Sequence, residues 1–157
     1  MAGKFKVVIT DDQKAVRIPK GLRMLIRRSC IAALQNENIE NDTQVNVDFV
    51  DNRHISKLNK EYNDSDATVS NIVIPKEGDD KCIGNIVISM EKTVEQAESQ
   101  MSTLEREVGY TVVHGVLQLT GNTPKSDLEE SKLKDREEYI MYLLGLPSSS
   151  AYALNNA

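Results

Sequence analysis

His114 is the residue of this chain best suited to chemistry near neutral pH. An imidazole can exchange a proton there, or lend a ring nitrogen to a metal ion. It lies in the run Leu104-Glu-Arg-Glu-Val-Gly-Tyr-Thr-Val-Val-His114-Gly-Val-Leu-Gln118-Leu-Thr-Gly121. A metal-binding helix sets two ligands at i and i+4, because that spacing brings both side chains over one spot. Here the i+4 residue is Gln118. Its amide oxygen is a weak neutral donor beside the imidazole, thiolate and carboxylate groups that zinc prefers, and a catalytic zinc takes about three protein ligands. On the residues alone, a lone helical histidine more often serves as a hydrogen-bonded structural group. Asp127, Glu129 and Glu130 could rotate in as further donors. Acids in the first turn of a helix are more simply explained as complementing its dipole.

The other reactive residues point away from metal and redox chemistry. Cys30 and Cys82 fall in a predicted helix and a predicted strand without CxxC spacing, so both are expected to be small buried apolar groups. The chain has no Trp and only 4% aromatic residues, too few rings for a base-stacking platform. Its net charge of −5 argues against strong non-specific attraction to phosphate backbones. Charge is segregated, however: Lys14, Arg17, Lys20, Arg23, Arg27 and Arg28 follow one another without an acid between Gln13 and Asn36, whereas Asp127 to Glu138 is mostly acidic. The plain reading is a solvated helix face, and a basic patch is the alternative.

These residues must be held by one body. With 157 residues and 39% hydrophobic content, one sizeable core is expected. No apolar run approaches the roughly 20 residues that span a bilayer, and the Met1 end lacks the pattern of a cleaved leader. A cytoplasmic protein with no membrane association is the expectation, and nothing in the pattern sets an oligomeric state. Lys4 to Thr10 reads as a first strand, with Phe5, Val7 and Ile9 on one side. A helix starts near Pro19 and carries Leu22, Ile26, Cys30 and Ala33 inward as far as Asn36. Val45, Val47 and Phe49 alternate as a strand, and Asn52 is read as the cap of a helix with Ile55, Leu58 and Tyr62 on its apolar side. After a polar loop, Asn71 to Ile74 is a short strand ended by Pro75. A Gly-Asp turn leads into the strand Ile83 to Ser89. Met90 to Gln100 is a helix with Val94, Ala97 and Met101 on one face, Leu104 to Leu119 a longer one stopped by Gly121, and Asp127 is taken to cap a last helix reaching about Leu144. Residues 1–145 are read as a single domain and 146–157 as a loosely ordered tail.

The segment from Leu104 to Gly121 resembles the signature helix of the YbeY family, metal-dependent ribonucleases that mature ribosomal RNA. Further segments resemble the family in order: Lys6 to Cys30, Val47-Asp-Phe-Val-Asp-Asn, Leu58-Asn-Lys-Glu-Tyr62, Gly84-Asn-Ile-Val-Ile-Ser89 and Glu95-Gln-Ala-Glu98. The resemblance implies an α+β fold of α/β type, a four-stranded mixed sheet packed with about five helices, the His-bearing helix lying centrally beside a cleft. It implies a zinc cofactor, single-stranded RNA as substrate, and ribosomal RNA or the ribosome as partner. The family motif runs His-Gly-x-Leu-His-Leu-x-Gly-Tyr-Asp-His. Only its first histidine is present, as His114, with Gln118 and Pro124 at the other two positions and Asn122-Thr123 in place of Tyr-Asp. Asn63 replaces an arginine, Asn85 an aspartate, Val69-Ser-Asn-Ile-Val-Ile-Pro75 the family's Thr-Asp-Val-Leu-Ser-Phe-Pro, and Met101-Ser102-Thr103 its Gly-His-Ser. The expectation is therefore a site with His114 as the one remaining metal-ligand position, no zinc held by this chain, and no catalytic residue assigned. A non-catalytic YbeY-like protein, associated with RNA or the ribosome through Arg17, Lys20, Arg23 and Arg27, or an inactive scaffold, is the alternative to a working nuclease.

Overall fold

A computed structural model describes residues 3–78 and 81–148. Nine elements follow in the order β1 (Phe5–Asp11), α1 (Leu22–Asn36), β2 (Thr43–Val50), α2 (Asn52–Asn63), β3 (Asn71–Pro75), β4 (Cys82–Ser89), α3 (Met90–Ser99), α4 (Leu104–Leu119) and α5 (Asp127–Leu143). The strands form one mixed sheet in the order β1-β2-β4-β3. β1 and β4 each pair parallel with β2, and β3 pairs antiparallel with β4. This is the α+β architecture of four strands and five helices expected from the sequence.

Alternation of side chains along the strands decides which face each helix covers. Val45, Val47 and Phe49 on β2 share a face with Ile86 and Ile88 on β4, and that face packs against Leu22, Ile26 and Cys30 of α1 and Val108, Val112, Val113 and Val116 of α4. Leu133, Ile140 and Met141 of α5 complete this core. On the opposite face a smaller cluster, Val50, Ile55, Ile72 and Val87, seats α2 over one end of the sheet. The rest of that face is polar. Gln44 donates to Asn46, Asn46 to Asn85, and Asn85 to Asp48 at 2.9, 3.2 and 3.0 Å. Desolvation raises the pKa of the half-buried Asp48 carboxyl.

α4 is the central helix, touching α1, α3, α5, β3 and β4. Two glycines allow that approach. A methyl group at Gly115 would come within 2.7 Å of Ile86, and one at Gly84 within 2.5 Å of Leu119 and 2.6 Å of the Ile74 carbonyl oxygen. Both positions must therefore lack a side chain for the helix to lie on β4.

Local details depart from the sequence pattern in four places. Helix α1 begins at Leu22 behind Gly21, which holds φ 91°, and not at Pro19, whose carbonyl instead accepts from Leu22 in the entering turn. The α2 cap is Asp51, which accepts from the His54 amide at 2.8 Å, while Asn52 turns to accept from Ser89 Oγ at 2.6 Å. Ser126 caps α5, since its extended backbone aims the hydroxyl at the Glu129 amide. Met101 lies past the end of α3 at φ 53° and is exposed, so it does not continue the face of Ala97. Of the expected tail, residues 149–157 lie outside the described residues, as do positions 79 and 80 of the turn before β4. Leu146 packs against the core, and its amide donates to the Met141 carbonyl at 2.9 Å. Cys30 and Cys82 are buried and neither is in a disulfide; burial pushes the Cys30 thiol up to about 12. Among the described residues no helix is long and apolar enough to cross a membrane.

Gly84→Ala should destabilise the protein by about 1–3 kcal/mol, the usual cost of overpacking a filled site, because the clash is with a backbone carbonyl as well as a side chain. Denaturant unfolding measures this, and an unchanged midpoint would show that α4 does not depend on the close approach.

Candidate functional site

Every fourth residue on one side of α4 carries a ring or a guanidinium: Arg106, Tyr110 and His114. Spacing of i, i+4 and i+8 stacks them in a column along the helix. The Arg106 guanidinium lies 5.5 Å from the centre of the Tyr110 ring, and the Tyr110 and His114 rings are nearly parallel at 6.3 Å. α5 supplies the partners. Glu137 is 3% exposed in a helix whose composition reads as solvated. Its carboxylate accepts from the Tyr110 hydroxyl at 2.9 Å and from His114 Nδ1. Next to it, Glu138 pairs with Arg106 at 2.7 Å, and Arg106 also donates to the Leu146 carbonyl at 2.7 Å.

A carboxylate buried to this degree is stable only if its oxygens are hydrogen-bonded, and both are. The interaction works in both directions. The hydrogen bond to Glu137 raises the His114 pKa above its ordinary 6.5, outweighing burial, which acts the other way. Desolvation first, then the Glu137 charge, push Tyr110 far above the usual phenol range, so it stays a donor. His114 remains half-exposed, and its Nε2 is the ring nitrogen left for other partners.

The residues singled out from the sequence are brought together only in part. Gln118 is exposed one turn beyond His114. Pro124 is also exposed and lines a separate depression of about 320 Å³ beside Arg136. There the loop between α4 and α5 is tied down by Asn122, whose amide donates to Glu37 at 3.0 Å and whose carbonyl accepts from Arg136 at 3.0 Å; Arg136 also pairs with Glu37. Asp127, Glu129 and Glu130 occupy the first turn of α5, and Glu130 is seven residues from Glu137, about 10 Å along a helix. Glu129 is spent on the Lys125 amide at 2.7 Å. Asn85 is on the sheet face opposite α4, and Asn63 stands at the end of α2, donating to Asn59 at 2.8 Å. Ser70, Asn71 and Ser102 do border a cleft of about 400 Å³ that runs beside α4 past Arg106, Tyr110 and Thr111.

Donor chemistry decides whether zinc suits this site. A carboxylate on Nδ1 is the partner that metal-bound histidines use to orient the ring, so Glu137 by itself does not oppose a metal at Nε2. The second and third donors are the difficulty. Gln118 offers a neutral amide and Pro124 nothing, and among the described residues no three His, Cys, Asp or Glu side chains converge. The side chains present do not fit a three-ligand zinc centre.

Lys14, Arg17, Lys20, Arg23, Arg27 and Arg28 are all exposed on α1 and the loop before it. None of the six side chains makes an ion pair or hydrogen bond among the described residues. They belong to the acid-free stretch between Gln13 and Asn36 of a chain with net charge −5.

Sequence reasoning missed Glu137 and Tyr110. Tyr110 and Arg106 were recoverable from the i−4 and i−8 spacing to His114. Glu137 was not, since its burial depends on where α5 packs.

Comparison with known proteins agrees with the fold. The sequence profile of the family described as Endoribonuclease YbeY matches residues 8–145. An Endoribonuclease YbeY from Alkaliphilus metalliredigens is 33% identical over 148 residues, covering 89% of this chain and 96% of that protein. One from Caldanaerobacter subterraneus is 35% identical over 154 residues, covering 88% and 98%. A solution structure of a Thermotoga maritima protein superposes with a TM-score of 0.58 at 24% identity, covering 86% of this chain and 89% of that one.

A raised His114 pKa means that the folded state binds the imidazolium more tightly than the unfolded chain does. The resulting stability is fully present below pH 6.5 and is lost as the pH rises through the folded-state pKa. Glu137→Gln should remove the pH-dependent part, and Glu137→Ala should cost about 1–3 kcal/mol by leaving the Tyr110 hydroxyl and the His114 ring without their acceptor. An NMR titration in which His114 has the same pKa in wild type and Glu137→Gln would refute the pairing.

Proposed function

The chain belongs to the YbeY endoribonuclease family, and on that premise we propose that it is a member associated with ribosomal RNA or the ribosome that does not carry out the family's zinc-dependent cleavage. The observation that carries this reading is the donor set around His114. Its ring is held by Glu137, while the positions that complete the family motif are the exposed Gln118 and Pro124. A zinc-bound water is acidified when three strong ligands hold the ion with one position open. His114 alone cannot hold it so. What His114 does instead is lock α4 to α5 through a carboxylate that also holds Tyr110.

RNA association is supported by the exposed cations of α1 and the loop before it. Lys20, Arg23, Arg27 and their neighbours carry charges that no acid neutralises among the described residues, which leaves them free to replace counterions along a phosphate backbone. The net charge of −5 keeps that attraction local to this stretch. A working nuclease would need Asp127, Glu129 or Glu130 to act as ligands, and their distance along α5 from the residue that faces His114 argues against it.

Purified protein should contain well below one equivalent of zinc by elemental analysis, and the double substitution Gln118→His with Pro124→His should raise its zinc affinity in a competition titration. Stoichiometric zinc that is lost in His114→Ala, together with zinc-dependent cleavage of single-stranded RNA, would overturn the reading. Binding of a single-stranded RNA should weaken with salt, and Arg23→Glu with Arg27→Glu should flatten that dependence, the log–log slope falling by about 0.7 for each phosphate that is no longer neutralised. A salt-independent affinity would remove α1 from the interface.

A further inference from the structure

Beside the His114 column the cleft of about 400 Å³ has an unusual lining for a site that handles RNA: it is polar, and its two cationic and two anionic side chains leave no net charge. Arg106 points into it already paired with Glu138 and with the Leu146 carbonyl. Lys134 and Glu107 also border it, neither in an ion pair among the described residues, so the four charged side chains of the lining cancel, and none of the cations of α1 lines it. A phosphate would find no net positive charge here. The remaining polar walls are neutral: the carboxamides of Asn71, Gln96 and Gln100, and the hydroxyls of Ser70, Ser102 and Thr111.

Carboxamides present a donor and an acceptor side by side, which is the arrangement on the edges of nucleobases, and hydroxyls match a ribose 2′-OH that both donates and accepts. Asn71 spends one amide hydrogen on Ser70 Oγ at 3.0 Å, which fixes its orientation. Ser102 Oγ is buried with no hydrogen-bond partner among the described residues. A buried hydroxyl is normally satisfied, so an unpaired one at the rim of a polar cleft points to a ligand or solvent atom as its partner. The floor is rigid, because Arg106 and Tyr110 are each anchored to α5. The volume lies at the small end of the about 300–1,000 Å³ typical of ligand sites.

We infer that this cleft is a nucleoside subsite, taking the base and ribose, and not the phosphate, of one residue of a single RNA strand. The inference rests on the proposed association with RNA and divides the work between two surfaces: exposed cations of α1 meet the backbone, and the neutral cleft beside α4 reads one nucleoside.

Adenosine is the probe, since asparagine and glutamine pair bidentately with its N6 and N7. The full chain is titrated in parallel with adenosine, with inorganic phosphate and with a single-stranded oligoribonucleotide, using NMR shifts to locate binding. Adenosine should saturate at millimolar concentration with shifts at Gln96, Gln100 and Thr111, and phosphate should leave these residues unmoved. Gln96→Ala and Gln100→Ala, both outside the core, should each weaken adenosine and RNA binding about fivefold, the effect of removing one hydrogen bond. Arg23→Glu with Arg27→Glu should weaken RNA binding alone. RNA binding without adenosine binding, or with no effect of the glutamine variants, overturns the subsite and leaves the RNA association standing. Phosphate displacing adenosine from the cleft overturns it as well. Failure of both ligands overturns the subsite and the proposed function together, and adenosine binding without RNA binding overturns the assignment to a strand.

Discussion

The close approach of α4 to β4 is the constraint on which the molecule depends. It exists because two positions carry no side chain, Gly84 on the strand and Gly115 on the helix, each facing an atom that a methyl group would strike. With the helix seated, Val108, Val112 and Val116 enter the core, and the residues on its other sides are turned toward α3, β3 and α5. The positions of Arg106, Tyr110 and His114, and of the cleft beside them, follow from that approach. They lie on a rigid helix, whose pitch sets their mutual spacing.

α5 is oriented by a second kind of interaction. Its apolar residues alone would define a face, but Glu137 and Glu138 define an alignment, since two carboxylates must meet three donors on α4 at hydrogen-bonding distance. Glu137 could not be buried unpaired, so the packing of α5 and the presence of Tyr110 and His114 are mutually required. His114 therefore has a structural use that needs no metal. With a neutral amide at Gln118 and no side-chain donor at Pro124, that use accounts for why an imidazole sits there.

Membership in the YbeY endoribonuclease family rests on most of the chain, and the departures from its motif are not spread evenly over the structure. Asn85 and Asn63 lie on or beyond the far face of the sheet. Gln118 and Pro124 lie along α4 and the loop after it, a loop fastened by Asn122, Glu37 and Arg136. Ser70, Asn71 and Ser102 border the cleft. A linear motif treats these positions as one set. The fold separates them into a polar sheet face, a clamped loop and a neutral cleft.

Periodicity along the chain was enough to place the elements. Alternation in Val45, Val47 and Phe49, the helical spacing from Leu104 to Leu119, and the break at Gly121 all reflect local geometry, so the order of strands and helices and the inward faces were legible in the residues alone. Caps were less so: Ser126 and Asp127, or Asp51 and Asn52, are adjacent and chemically alike, and a backbone angle decides between them. Sheet order, the parallel pairing of β1 with β2, and the burial of Glu137 came only with the tertiary structure. Glu137 shows why: in sequence it belongs to an acidic run that belongs in water, and it becomes an interior anchor only because α5 packs where Tyr110 and His114 can donate to it. A pairing between residues 23 positions apart leaves no periodic trace in either helix.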